Sequence, residues 1–174
     1  MRMFLLLFSS MVVAIGLVGC GDDDEGQPLD ASCFDYGSFQ VGTEEVSLRR
    51  DVMPVLQASC TFGNSCHGTI SGSQGLVYLG PVQGVPPSIQ HLQAVLDQTL
   101  DVMPVLKAGM PLITAGNAEQ SFLMHKADNT LACGKLECAA NDACGAPMPY
   151  QRDLASAEDR NKIRRWIAQG AKLN

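Results

Sequence analysis

Residues 60–68 read Cys60-Thr61-Phe62-Gly63-Asn64-Ser65-Cys66-His67-Gly68. Two cysteines close in sequence, the second followed at once by histidine, is the arrangement that attaches a c-type haem. The thiols add to the haem vinyl groups and the imidazole becomes the proximal iron ligand. In the usual C-x-x-C-H spacing the thiols lie one helical turn apart and face the same way. Here five residues intervene. On a regular helix Cys60 and Cys66 would stand about 240° apart, so the intervening chain is expected to loop out. Gly63 and Asn64 both tolerate positive φ and make that feasible. The same turn equally suits a Cys60–Cys66 disulfide, which needs Cα atoms ~5.5 Å apart; His67 would then be an ordinary turn residue. A zinc or copper site is a third use of these groups. Only His67, His91 and His125 offer imidazoles, and no second Cys/His pair lies close by.

Outward from this motif the pattern is helical. Ser47 opens a short helix with Leu48, Val52, Val55 and Leu56 on one side, delivering the chain to Cys60. Pro54 either kinks it or sits in its first turn. Residues 71–87 are glycine-rich and read as turns with a short extended piece at Leu76 to Leu79. Ser88 caps a helix carrying Ile89, Leu92, Val95 and Leu96 on one face. Asn117 with Gln120 resembles a capping box, opening a helix through Ser121, Phe122, Leu123 and Lys126. Residues 132–149 form a cysteine-bearing loop. Ser156 caps a last helix with Asp159 at its third position; Ile163, Trp166 and Ile167 form its buried stripe and Gly170 stops it. The hexapeptide DVMPVL occurs at 51–56 and again at 101–106, but only the first copy leads into cysteines and histidine. The flanks do not match, and the repeat reads as coincidence.

The N-terminus reads as a targeting segment. Arg2 supplies a positive charge, and Phe4 to Val18 is almost wholly apolar, a length suited to a signal sequence and short for a membrane span. It ends in Leu17-Val18-Gly19-Cys20, which resembles a bacterial lipobox. Residues 1–19 are thus expected to be a signal peptide and Cys20 to carry lipid, anchoring the protein to a membrane. Gly21 after that cysteine resembles lipoproteins sent to the outer membrane. Residues 20–45 read as lipidated N-terminus, acidic tether and lead-in, with Cys33, Phe34, Tyr36, Phe39 and Val41 beginning a buried region.

Cleavage at that point leaves 155 residues, with 11 basic and 18 acidic side chains, enough for one domain with a real core. Asp22, Asp23, Asp24 and Glu25 hold four of those acids beside the anchor, a solvated tether. The balance has no nucleic-acid footprint. Six of the eleven basic residues are Arg152, Arg160, Lys162, Arg164, Arg165 and Lys172. They form either a solvated helix face or a docking patch for an acidic redox partner. Seven cysteines suit an oxidising, exported setting. With Cys20 lipidated and Cys60 and Cys66 on haem, Cys33, Cys133, Cys138 and Cys144 remain as disulfide candidates. The three late cysteines would staple a loop poor in apolar residues, one of them pairing with Cys33. No nucleophile stands beside a base, so catalysis is not expected.

The pieces in order are VSLRRDVMPVLQASC (46–60), CHG (66–68), SGSQGL (71–76), AGNAEQSFLMHK (115–126), Met148-Pro149 and LASAEDRNKIRRWIAQGA (154–171). Together they resemble the cytochrome c-like domains of exported proteins of the planctomycete and myxobacterial type. The resemblance runs from about Val46 to Ala171. It implies a mostly α, cytochrome c-like domain over 46–174 with long disulfide-stapled loops. It further implies haem c on Cys60 and Cys66, His67 as proximal iron ligand and Met148 as distal ligand. Met110, Met124 and His125 remain rival distal groups. The function implied is one-electron transfer in the cell envelope. The alternative is a haem-free scaffold of the same fold, acting as a binding or structural module.

Overall fold

The computed structural model describes residues 33–63, 65–71, 76–106, 108–133, 136–138 and 144–174. The expected signal segment, Cys20, the acidic tether and Asn64 of the looped motif lie outside the described residues. The described residues belong to one compact unit, Ala31–Asn174. Within that unit the described residues form helices and no strands; the only sheet-like pairings described are isolated bridges, Leu100 with Ile113 and Thr114 with Asn117. Among the described residues no helix is long and apolar enough to cross a membrane.

The first helix begins as a wide turn, Leu48–Val52, in which Val52 N–H reaches Ser47 O five residues back at 3.2 Å. It tightens into α1, Met53–Ser59, where Pro54 sits in the first turn. That position needs no N–H from proline. Ser47 accepts from Arg50 N–H and its own N–H donates to Asp51, a reciprocal cap. The other exposed donors of this helix start are met from the far end of the chain. Leu48 N–H donates to the Asn174 side-chain oxygen at 2.8 Å, and Arg49 N–H to the Asn174 carbonyl at 3.0 Å.

Helix α2, Ile89–Thr99, is capped by Ser88 as expected, with His91 completing the box. Leu92, Val95 and Leu96 are buried, but Ile89 is half exposed and stands off the stripe. Helix α3, Phe122–Asp128, starts later than its sequence signal. Asn117 caps only a preceding turn through Gln120 N–H, and Ser121 is the residue before the helix. Ser121 is itself drawn inward by bonds to Asn117 and Thr114, which separates the turn from the helix. Helix α4, Ala157–Ala168, carries the Ser156 cap and the buried Ile163, Trp166 and Ile167, and Gly170 follows it at φ +103°. Glycine takes that φ at no steric cost.

Helices α1 and α3 both pack on α4. Leu48, Val52, Met53, Leu56, Val95, Ile113, Met124, Trp166 and Ile167 fill the main core. A second apolar cluster of Ala108, Met110, Leu112, Phe122 and Cys144 lies on the other side of α3. The lead-in residues Phe34, Tyr36 and Phe39 are only half buried and Cys33 is exposed. The three rings nevertheless surround the guanidinium of Arg164, which is 3.6 Å from the Phe34 ring centre. Two disulfides fasten the loops: Cys33–Cys133, closing 100 residues, and Cys138–Cys144, closing six.

The two DVMPVL copies differ completely. In 51–56 the hexapeptide is helical with Val52, Met53, Val55 and Leu56 buried; in 101–106 it is a loop opened by Asp101 at φ +55°. Met103 and Val105 are exposed there.

Candidate functional site

The end of α1 turns back on itself to place His67. Cys60 N–H and Thr61 N–H both close on Leu56 O, and Cys66 N–H bonds Gly63 O. His67 N–H then returns to Cys60 O at 3.1 Å, closing the expanded loop. The described residues between the cysteines are non-helical. The loop is fixed on both sides. Thr61 Oγ1 donates to Pro81 O at 2.8 Å, and Leu79 N–H donates to His67 O at 2.9 Å.

His67 Nδ1 is 2.8 Å from Val77 O. A carbonyl only accepts, so Nδ1 carries the hydrogen. Burial pushes the imidazole below its ordinary pKa, the Lys126 ammonium adds to this, and the Val77 bond opposes both. The ring is therefore neutral, and its Nε2 is a lone-pair donor. Nε2 has no hydrogen-bond partner among the described residues. The other two histidines are not in this condition. His125 engages both nitrogens, with Thr130 Oγ1 and Glu119 O at 2.9 Å each. His91 Nδ1 accepts from Ser88 N–H in the α2 cap.

His67 lines a cavity of about 210 Å³ together with Cys60, Met148, Lys126, Phe122 and Leu123. Val77, Leu79 and Leu112 extend its apolar wall, and Pro104 to Leu106 form its lip. Met148 thus comes to the same cavity from a loop 81 positions further along the chain. The rival sulfurs do not. Met110 lies in a separate cavity beside Cys33, Tyr36 and Cys133, and Met124 is sealed in the main core. Met148 N–H donates to Lys126 O at 2.8 Å, and the Cys138–Cys144 bridge fastens the loop just before it.

Cys60 and Cys66 are both free thiols. Cys60 is buried on the cavity wall, and that burial, with Cys66 nearby, pushes its thiol up to about 12. Cys66 is half buried and is not part of the wall. No group of three or more His, Cys, Asp or Glu side chains converges among the described residues, so these thiols and imidazoles do not form a zinc-type cluster.

The basic residues of the C-terminal region are largely engaged within the molecule. Arg164 is buried against Asp128 at 2.6 Å and also bonds Asn161; Arg160 reaches the other Asp128 oxygen at 3.3 Å. Lys162 pairs with Asp159 and Glu158, Lys172 lies near Glu45, and Arg152 stacks over Phe62. Arg164 in particular is an interior charge and belongs to no surface patch. The spacing of charges along a helix could not show this, because the partners Asp128 and Phe34 come from remote segments.

No family model, curated protein or solved structure matches this chain.

Proposed function

We propose that this chain is an exported, lipid-anchored, cytochrome c-like electron carrier. Cys60 and Cys66 would hold the haem through thioethers, and His67 and Met148 would be the groups that ligate its iron. The observation that supports this most is the meeting of His67 and Met148 on one largely apolar cavity, with His67 Nδ1 held by the Val77 carbonyl and Nε2 without a hydrogen-bond partner among the described residues. When bound, the haem supplies a one-electron iron couple whose potential imidazole and thioether ligation raise relative to two imidazoles.

The chain's own residues account for the rest. Val77 fixes the His67 tautomer and ring direction, as hydrogen-bonded carbonyls do for metal-binding histidines. Aliphatic side chains surround the two ligands, each of which is half buried. The closed 60–67 loop holds the cysteine–histidine end, and the disulfide-fastened 144–148 loop holds the methionine.

On the cavity wall the donors fit a c-type haem in kind: the His67 imidazole, the Met148 thioether and the free Cys60 thiol, with the free Cys66 thiol next to His67 in sequence but off the wall. In size, a cavity of about 210 Å³ is below the ~300–1,000 Å³ of ordinary ligand pockets. Haem would need the cavity to widen, and the least packed part of its wall is at Val105, which is 82 % exposed. Cys60, buried as a neutral thiol, must likewise be reached by haem before the fold closes over it.

The envelope setting rests on the Leu17-Val18-Gly19-Cys20 segment, and a redox protein is the partner class that a carrier requires. Peptide mass mapping of protein produced with c-type maturation factors tests the assignment. The peptide spanning Cys60 and Cys66 should carry haem; the same peptide recovered unmodified would refute it.

A further inference from the structure

Lys126 projects from α3 into the protein with 9 % of its surface exposed. A buried ammonium is costly unless its N–H groups are bonded. Among the described residues Lys126 has no carboxylate partner. Its Nζ donates to the carbonyls of Cys144 and Ala146, the latter at 2.9 Å, and lies 5.2 Å from the centre of the Phe122 ring. Its backbone carbonyl accepts the Met148 N–H at 2.8 Å. One residue thus grips the start of the 144–148 loop with its side chain and the end with its main chain. The grip is close: a Cβ on Gly145, which has φ +71°, would come within 2.8 Å of Nζ. Hydrogen bonds from an ammonium are roughly twice as strong as neutral ones, so an apolar side chain of equal length cannot replace them.

We propose that Lys126 is the positioning residue for Met148: by binding the Cys144 and Ala146 carbonyls, its ammonium holds the loop that presents the thioether to the His67 cavity. This rests on the reading of Met148 as an iron ligand. The Cys138–Cys144 bridge ties only the beginning of the loop. Lys126 is the contact that reaches along it to Met148.

Lys126→Met keeps the stem and removes the donors; Lys126→Arg keeps charge and donors. In haem-free protein, amide hydrogen exchange is followed over 144–150. Lys126→Met should speed it about tenfold or more, the factor that losing one charge-assisted hydrogen bond gives, with α4 still protected as in wild type. In haem-loaded protein the same variant should lose the absorption signature of thioether ligation as fully as Met148→Ala does, while the haem stays covalently attached. Lys126→Arg should retain more of that signature than Lys126→Met.

Unchanged exchange over 144–150 overturns the clamp. Faster exchange with thioether ligation intact overturns the positioning role. Should Lys126→Met lose α4 protection as well, Lys126→Gln decides, since it keeps a polar side chain but removes the charge and the reach to both carbonyls. It should loosen the loop and weaken the ligation, and retention of both overturns the proposal. A wild type that takes up no haem refutes the ligand reading of Met148 and the positioning role with it, and the exchange measurement separates that result from a failed clamp.

Discussion

The Nδ1 of His67 lies 2.8 Å from the carbonyl oxygen of Val77, ten residues further along the chain. This single bond converts a histidine in a turn into a directed lone pair. It fixes the hydrogen on Nδ1 of a histidine that lines the same cavity as Met148.

The bond also sets what His67 does for the haem-free fold. Replacing it with alanine leaves the Val77 carbonyl without its partner, a cost of about 1–3 kcal/mol. His67→Ala should therefore lower the urea midpoint modestly without changing the slope. A loss of cooperative unfolding would show that His67 is a core residue rather than a presented ligand.

Asp128 holds a heavier role. It is the carboxylate between Arg164 and Arg160, and Arg164 is 1 % exposed. Removing one member of a buried ion pair costs about 3–5 kcal/mol, because the other charge stays buried. Asp128→Ala should be among the most destabilising single changes in the domain. Arg164→Met on top of it should recover part of the loss. Equal stability of Asp128→Ala and wild type in chemical denaturation would contradict the burial of that pair.

Much of the helical plan is legible in the sequence because it is local. Ser88 and Ser156 announce their helices, and Pro54 marks the first turn of α1. Ile163, Trp166 and Ile167 show a period that only burial explains. The wide turn at Leu48–Val52 and the delayed start of α3 are not legible. Each depends on a distant partner: Asn174 for the donors of Leu48 and Arg49, and Thr114 for Ser121. The two DVMPVL copies make the point within one chain: the first is helical with four of its six residues buried, and the second is a loop whose last three line the cavity. At the site, the motif names His67, Cys60 and Cys66. It cannot reveal Val77 or Lys126, whose parts are played through backbone carbonyls and a folded loop. Arg164 reads as a surface charge by spacing alone and is interior because Asp128 and Phe34 meet it there.

The disulfides should differ in effect. Cys33–Cys133 closes 100 residues, and replacing both cysteines with alanine should cost about 2–5 kcal/mol. The short Cys138–Cys144 loop should cost less, about 2 kcal/mol. Its removal should act chiefly on the Met148 loop, raising exchange there. The comparison is made by denaturation with exchange; a larger global loss from the short bridge would contradict this ranking.

The free thiols should react in a fixed order. The thiolate is the reactive form, and burial pushes Cys60 up to about 12 while Cys66 is only half buried. In folded, haem-free protein at pH 8, alkylation should mark Cys66 first and Cys60 only on unfolding. Equal rates read by peptide mapping would show that Cys60 is not sealed in the cavity wall.

The proposed haem between His67 and Met148 is tested by two readings of matured protein, a haem stain after a denaturing gel and visible spectra of the folded protein. The stain should survive denaturation in the wild type. The reduced and oxidised spectra should be low-spin, and His67→Ala should abolish them. Met148→Ala should keep the stain while opening the sixth position to water or leaving the iron high-spin. Protein made with maturation factors that shows no stain, with Cys60 and Cys66 recovered as thiols or joined to each other, would contradict the account.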